Sequence, residues 1–414
     1  AGTSIPFNAF AQRDNRIHEK DVVTILGNDT TSASTVESAL KKNAPQTPNE
    51  NGLPRFALVG KDGKFYIGLG AQFLGEAVFD WGDAMPSPTS MTPADIQPRT
   101  PGNGSNLRFA WQTSSIYMNV VAMPGNDNQI GVFLKAKFTG ANNSFHVSHL
   151  YAKYRGLTVG QTNSLFTDGA AEPFTIDSEG PNGYPDLSLF TAYWQQKFTD
   201  NFSGAIGIDA PSNSFSYSAT TSDINQRIPA IPLYLQYAWN GGDSHVRLSG
   251  IVRPMQYRDL VSNKNTVITG GGVQLSGMTS ITDKLSVQFN AAYGKGIGNY
   301  LQDDNDLGLD AVASSEPGKL ETVTNLGLTG GLTYNFTPNL SSNLVYSHLT
   351  NWFADDAVGI GDKYRYGDYV AANLVYSINK FVSAGIEYDY GHRKSNDGTG
   401  LHTNRVQCQL ALTF

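Results

Sequence analysis

The sequence lacks several features of ordinary soluble proteins and of helical membrane proteins. Its 414 residues include one cysteine, Cys408, so no disulfide can form within the chain. Charged residues make up 16% of the chain, below the roughly 25% of a typical globular domain. No apolar stretch approaches ~18 residues, which excludes a transmembrane helix. A membrane-spanning barrel is not excluded, because its alternating strands leave only a weak hydropathy signal.

The sequence also has a deficit of positive charge and no recognisable catalytic or metal motif. Its formal net charge is −7, which argues against a nucleic-acid partner, because such partners favour basic surfaces. The seven histidines show neither metal-ligand spacing nor a nucleophile motif. We therefore expect no metal, no cofactor and no catalytic residues. The chain begins at Ala1 without a charged and then apolar leader, so we expect any signal peptide to have been removed.

What the sequence does have is alternation with a period of two from residue 64 onward, the pattern of β-strands. The first predicted strand is long enough to cross a membrane at a barrel tilt. Its apolar face carries Phe65, Ile67, Leu69, Ala71, Phe73, Ala77, Phe79 and Trp81. The last predicted strand carries Val406, Cys408, Leu410, Leu412 and Phe414 on one face. A final Phe414 resembles the export and assembly mark of outer-membrane proteins, which implies the barrel-assembly machinery as a partner.

Turn signals divide this region into strands joined by two alternating kinds of connection. Seven short polar turns are predicted at 124–128, 155–156, 199–202, 240–244, 282–285, 337–340 and 378–381. Eight longer loops are predicted at 82–103, 140–146, 167–186, 219–230, 258–265, 299–321, 353–364 and 393–402. Together they join sixteen strands. Short turns at one end and long loops at the other are typical of transmembrane barrels.

The sequence therefore predicts an all-β fold, a closed antiparallel transmembrane β-barrel spanning 64–414. Closure is required because hydrocarbon cannot satisfy an open strand edge, and about 16 strands leave an aqueous channel. A soluble propeller would instead repeat every ~40–50 residues, and no such repeat is present. Residues 1–63 are expected to form a periplasmic extension that is either flexible or partly helical, with a short helix at 32–42.

Parity along the strands turns a set of basic residues toward the lumen, since a cation on the lipid face costs about 2–4 kcal/mol at the midplane. The predicted pore-lining residues are Arg108, Lys135, Lys137, Lys153, Arg155, Arg247, Arg253, Arg365 and Arg405. Acidic residues Asp303, Asp304, Asp306 and Asp310 lie in a long loop, so the negative net charge is expected at the outer surface. A positive lumen would favour anions. Alternatively, the cations pair with Glu76, Glu387 and Asp389 or with an inserted loop.

The loop 167–186 is the candidate constriction. It follows the fifth predicted strand and carries the acidic residues Asp168, Glu172, Asp177 and Glu179, with Pro173, Pro181 and Pro185 stiffening it. In sixteen-stranded porins the loop at this position folds into the barrel. Acidic residues on the loop that face cations on the wall would create a transverse field. The alternative is an ordinary exposed loop.

A family resemblance begins at the same loop. The stretch Gly160-Gln161-Thr162-Asn163-Ser164-Leu165-Phe166-Thr167-Asp168 runs into Ala171-Glu172-Pro173-Phe174-Thr175-Ile176-Asp177-Ser178-Glu179-Gly180-Pro181-Asn182-Gly183. It resembles the loop signature of the DcaP-type trimeric porins of Gram-negative bacteria, which take up dicarboxylic acids and related anions. The resemblance implies a homotrimer. The chain departs from the family pattern at Asn163, where the family usually has Trp, and in keeping only Arg108 on its second strand.

The function predicted is passive diffusion of small hydrophilic solutes through an outer-membrane porin, with a preference for anions such as carboxylates. The expected partners are small polar or anionic solutes, outer-membrane lipid and lipopolysaccharide. A general non-selective porin is the alternative. A barrel enzyme would need clustered Ser, His and Asp near one rim, and an energised transporter would need about 22 strands.

Overall fold

The computed structural model describes residues 23–26, 33–45, 56–60, 62–125 and 128–414. The rest of the expected extension, residues 1–22, 27–32, 46–55 and 61, lies outside the described residues, as does part of the predicted turn at 124–128. The described residues form a closed antiparallel barrel of sixteen strands, which confirms the predicted fold class.

The barrel strands follow one another around the wall in chain order. In sequence they are β3 (Phe65–Gly82), β4 (Ser105–Ala110) continued by β5 (Ser115–Ala122), β6 (Ile130–Lys137), β7 (His146–Tyr154), β8 (Leu157–Asn163), β9 (Ser188–Lys197), β10 (Phe202–Asp209), β13 (Ile231–Trp239), β14 (Ser244–Asp259), β15 (Lys264–Ser280), β16 (Leu285–Lys295), β19 (Thr324–Thr337), β20 (Leu340–Trp352), β21 (Tyr364–Ser377), β22 (Val382–Ser395) and β23 (Gly400–Thr413). The last strand pairs with the first from Thr403↔Gly82 to Thr413↔Gln72, which closes the cylinder.

The remaining short elements are not among the sixteen strands of the cylinder. They are β1 (Val23–Leu26), α1 (Ala33–Asn43), β2 (Phe56–Val59), and in the long loops β11 (Phe215–Ser216), β12 (Thr221–Ser222), β17 (Ala311–Ala313) and β18 (Leu320–Thr322). Of the N-terminal elements, β2 pairs antiparallel with β3 below the point where β23 ends, and β1 pairs parallel with β2. Two short strands thus extend the wall at the short-turn end.

The two faces of the wall differ in the way that the sequence alternation predicts. On β20, Leu344 and Tyr346 point outward and are each 52% exposed, whereas Asn343 and Ser347 point inward and are buried. The same outward exposure recurs around the barrel, as at Phe109, Leu248 and Ile386. Such a continuous apolar face on a closed barrel is suited to hydrocarbon. Among the described residues, no helix is long and apolar enough to cross a membrane.

The connections have the expected alternation with two differences in length. The predicted long loops at 258–265 and 393–402 are tight turns, because β14 and β15 extend to Asp259 and from Lys264, and β22 and β23 extend to Ser395 and from Gly400. At these two connections, residues that were predicted to form loops instead extend the strands and form strand hydrogen bonds. The other long connections run between strand ends in the order predicted, and three of them fold back into the barrel.

Candidate functional site

The loop 167–186 lies against the inner wall rather than in solvent, and its first anchor is Asp168. One Asp168 carboxylate oxygen lies 2.9 Å from His245 Nε2 and accepts a hydrogen bond of 2.6 Å from Ser276 Oγ. The other lies 3.5 Å from Arg247 Nη1. Burial opposes ionisation of Asp168, but Arg247 and His245 outweigh it and hold the pKa below its ordinary value.

The middle of the loop is held further around the inner wall, at β22. The carboxylate of Glu387 on β22 accepts the backbone N–H groups of Ile176 at 2.9 Å and Asp177 at 2.6 Å. Asp177 in turn accepts hydrogen bonds from the N–H groups of Met91 at 2.8 Å and Gly180 at 3.0 Å. Because it is bound to the inner wall at β14–β15 and at β22, the loop runs along the wall inside the barrel and narrows the lumen.

Glycines in the wall give the loop room to approach. A Cβ added to Gly327 on β19 would overlap the carbonyl of Gly183, and one added to Gly331 would lie 2.5 Å from Pro173 Cβ. Both glycines are inward positions of β19, in register with Leu349 and Val345 on β20. The sequence signal for this contact is two inward glycines four residues apart on one strand, and sequence reasoning did not use it.

A second loop, 83–104, also folds inward, which the sequence did not predict. Met91 and Ile96 are buried against Val345, Tyr369 and Ala371 of the inner wall. Two wall arginines donate hydrogen bonds to backbone carbonyls of this loop. Arg108 donates to the carbonyls of Pro86 and Ser87, and Arg405 donates to that of Ser87. The loop thereby lies beside 167–186.

A third loop corrects the expectation that its acidic residues lie at the outer surface. Asp303, Asp304 and Asp310 are buried, because each is hydrogen-bonded inside the barrel mouth. Asp303 accepts a hydrogen bond from the N–H of Ala94 at 2.9 Å, and Asp304 accepts one from Asn351 at 3.0 Å. Of the four acidic residues in this stretch, Asp306 is the one left exposed.

The three loops bring carboxylates together. Glu179 is half-buried on the constriction loop, and burial together with Asp303, Asp177, Asp186 and Asp95 raises its pKa to about 8. Burial likewise raises the pKa of Asp303 well above its ordinary value. Glu172, the remaining predicted acid of the loop, is half-buried beside Pro173. The mouth therefore favours at least part of this cluster in its neutral form at neutral pH.

Most of the predicted lumen arginines have carboxylate partners. Arg405 Nε lies 2.7 Å from Asp80 Oδ1, and Arg108 binds the same carboxylate. Arg253 Nη1 lies 2.6 Å from Asp310 Oδ1, and Arg247 contacts Asp168 as described above. The partners of these four arginines are thus Asp80, Asp168 and Asp310 and not Glu76, Glu387 or Asp389. The pairing of Arg247 with Asp168 is the contact with an inserted loop that the sequence analysis gave as an alternative.

The predicted lysines lie on the wall formed by β6 and β7. Lys135 is buried, whereas Lys137 and Lys153 are half-buried. The Lys153 Nζ lies 5.1 Å from the ring centroid of Tyr151 and donates to the carbonyl of Lys42 at 3.4 Å. Glu76, Glu387 and Asp389 occupy inward positions on β3 and β22, which lie two and four strands from β6 along the same side of the wall.

Two residues that were predicted to line the pore, Arg155 and Arg365, do not lie on the lumen wall. Arg155 lies in the turn after β7 with positive φ, is exposed and binds Asn128. Arg365 lies within a β-bulge at the start of β21, between Tyr364 and Tyr366. The bulge breaks the alternation, so that Tyr364 points inward and is buried, while the guanidinium of Arg365 lies 5.9 Å from the outward ring of Trp352.

A cluster of titratable groups lies on the outward face near the long-loop end. His348 Nδ1 and His392 Nδ1 lie 2.8 Å and 3.2 Å from the two carboxylate oxygens of Asp368, and Tyr346 donates to the same carboxylate at 2.9 Å. Within the part of the chain that the structure describes, no serine, threonine or cysteine hydrogen-bonds to this group. No set of three metal-ligating side chains occurs there either.

A closed barrel of sixteen strands with an apolar outer face, a polar inner face and a loop folded into the lumen defines the class of the protein: a porin-type barrel of the bacterial outer membrane. Solved structures agree with this class. No family model and no curated protein matches the sequence.

The outer membrane channel DcaP of Acinetobacter baumannii superposes with a TM-score of 0.75 at 20% identity, over 86% of this chain and 99% of that one. An anion-selective porin from Comamonas acidovorans gives a TM-score of 0.54 at 11% identity, over 85% of this chain and 100% of that one. Salmonella typhi OmpF gives 0.54 at 13% identity, over 86% and 99%. The structural resemblance to DcaP confirms, at the level of the fold, the resemblance inferred from the sequence.

Proposed function

We propose that the protein is a passive outer-membrane porin through which small hydrophilic solutes diffuse. The observation that supports this most is the loop 167–186, which is anchored inside the barrel at Asp168 and at Glu387 and so narrows the lumen. A loop fixed at two points inside a polar channel limits the size of the solute that can pass. Short turns then face the periplasm and long loops face the exterior.

Selectivity in this proposal comes from a transverse field rather than from a uniformly positive lumen. The arginines are largely neutralised by Asp80, Asp168 and Asp310. The lysines of β6 and β7 and the carboxylates of β3 and β22 occupy neighbouring sectors of the same wall, so the charge of the lumen changes sign around its circumference. We propose that an anion such as a carboxylate follows the lysine wall, with Lys137 and Lys153 the half-buried residues within its reach.

The second candidate is a general porin without ionic selectivity. It is favoured by the pairing of Arg405 and Arg108 with Asp80 and of Arg253 with Asp310, because a paired cation contributes little net potential to the channel. We also propose that the protein assembles as a homotrimer and contacts lipopolysaccharide.

Neither candidate requires catalysis, and the outward Asp368 cluster takes no part in solute passage.

Planar-bilayer recordings under a salt gradient test these proposals. We expect stable open channels in the wild-type protein, with a reversal potential on the anion side. A variant K137Q/K153Q is expected to shift that potential toward the cation side. The matched control is K284Q/K380Q, which removes the same charge from exposed short turns and should leave the reversal potential unchanged. A wild-type potential of zero would favour the non-selective porin, and no conductance at all would reject both.

A further inference from the structure

The helix α1 lies inside the short-turn end of the barrel. Its contacts are with inward side chains of β3, β5, β6 and β7, the opposite face from the lipid-exposed Ile116 and Leu150. Val36 and Leu40 of the helix are buried in one cluster with Tyr66 and Val121 of the wall. The helix therefore occupies part of the channel cross-section on the far side of the constriction loop.

Asn43, the last residue of the helix, fixes it to the wall. Its amide Nδ2 donates to Asn119 Oδ1 at 2.7 Å and to the carbonyl of Val132 at 3.2 Å. In return, Asn119 Nδ2 donates to the carbonyl of Leu40 at 2.8 Å, and Tyr151 Oη donates to the carbonyl of Asn43 at 2.6 Å. Tyr151 thus pairs one of the carbonyl groups that the C-terminal turn of a helix leaves unpaired, and Asn119 adds a second donor to the carbonyl of Leu40, which also accepts the N–H of Ala44.

The wall is shaped for this contact. A Cβ added to Gly131 on β6 would overlap the side chain of Asn43, so a larger residue there is incompatible with the docked helix. The stacked rings of Tyr117, Phe133 and Tyr151 form the buried floor next to it. An inward glycine beneath a buried asparagine, flanked by three aromatic residues, is a built seat rather than an incidental contact.

The docked helix brings cations into the channel. Its last turn carries Lys41, which is half-buried, and Lys42, which is exposed. The carbonyl of Lys42 accepts a hydrogen bond from Lys153 on the wall at 3.4 Å. Lysines near a helix C-terminus are stabilised by the negative end of the helix dipole. Three lysines thus lie together at the short-turn mouth.

We propose that α1 is a second selectivity element, seated in the periplasmic mouth by Asn43, which narrows the channel and places Lys41 and Lys42 beside Lys153 in the path of anions. This inference rests on the proposed porin function. It makes α1 part of the permeation path rather than part of a separate periplasmic extension. Asn43 is a positioning residue, and the two lysines of the helix determine selectivity.

The test compares Gly131→Leu with Gly330→Leu in the full-length protein. Leucine at Gly131 unseats the helix without changing it. Gly330 is exposed, and nothing lies within 4 Å of its added Cβ, so leucine there is the matched control. We expect G131L to increase single-channel conductance and to move the reversal potential toward zero, whereas G330L behaves as wild type. The difference in gel mobility between heated and unheated samples reports whether each barrel is folded.

Two variants in the helix separate its roles and remain informative if G131L fails to fold. Asn43→Asp places a carboxylate against the carbonyl of Val132 and should reproduce both effects of unseating the helix. K41Q/K42Q keeps the seat, so the reversal potential should move toward zero while the conductance is retained. Conductance and reversal potential that stay at wild-type values in N43D and K41Q/K42Q would overturn the inference. A wild-type protein that forms no channel would instead overturn the proposed function.

Discussion

Arg253 and Asp310 form an ion pair buried in the mouth of the barrel, with Nη1 of the arginine 2.6 Å from Oδ1 of the aspartate. Arg253 is on the wall strand β14 and Asp310 is in the loop between β16 and β19. The guanidinium also binds the carbonyls of Gly296 and Ser212, so one side chain ties three loop segments to the wall. The pair therefore holds a loop in place rather than presenting a charge to solutes.

Breaking this pair on one side is expected to destabilise the barrel. Asp310→Asn leaves Arg253 charged and buried without its counter-ion, which typically costs about 3–5 kcal/mol. Equilibrium urea unfolding of the detergent-solubilised protein measures the loss. The double variant R253M/D310N removes both charges and should recover a large part of it. A single variant as stable as wild type would show that the pair does not form.

Asp168→Asn is expected to release the first anchor of the constriction loop, because the amide cannot accept the charge-assisted contacts from His245 and Arg247. The open channel should become noisier and more conductive in single-channel recordings. The pKa of Asp168 is held below its ordinary value, so the stabilisation is present at neutral pH. It is lost as the pH falls below about 4, where an ordinary aspartate titrates. Because Asp168 in the folded protein stays ionised below the pH at which an ordinary aspartate titrates, wild-type recordings near pH 4 should still resemble those at neutral pH, and a channel that already matches D168N near pH 4 would contradict this role.

Glu179 predicts the opposite pH dependence. Its pKa is raised from 4.5 to about 8, so the folded loop favours the neutral carboxyl. The stabilisation is complete at acid pH and is lost as the pH rises through 8. We expect the unfolding temperature to fall between pH 6 and pH 9, and to fall less in Glu179→Gln. The exposed Glu316 provides the control variant E316Q, whose pH dependence should match that of the wild type.

Gly327→Leu tests the docking of the constriction loop from the wall side. The added side chain overlaps Gly183, so the loop must move away from β19. We expect a larger conductance and faster proteolytic cleavage within 167–186. Gly330→Leu, on the outward face of the same strand, should change neither. Equal behaviour of the two variants would mean that the loop is not seated on Gly327.

Alternation and turn chemistry predict most of the barrel, because outward side chains face lipid and inward side chains face the lumen all along each strand. The order of the connections follows from the same local signals. The contacts that hold the folded-in loops do not follow from local signals, since those of Asp177 with Met91 and Glu387 join residues far apart in the chain. Parity fails at Arg365 because a bulge between Tyr364 and Tyr366 puts the start of β21 out of phase with the rest of the strand. The seat of α1 depends on Gly131, whose missing side chain has no local signature.

The most direct test of a water-filled lumen is solute entry into liposomes that contain the purified protein. Swelling rates are compared for a series of uncharged sugars of increasing size and for carboxylates matched in size to the smaller members. We expect fast entry of the small sugars, a steep decline with size set by the constriction loop, and faster entry of carboxylates than of cations of equal size. Liposomes that stay impermeable to the smallest solutes, although the barrel is folded, would contradict the account.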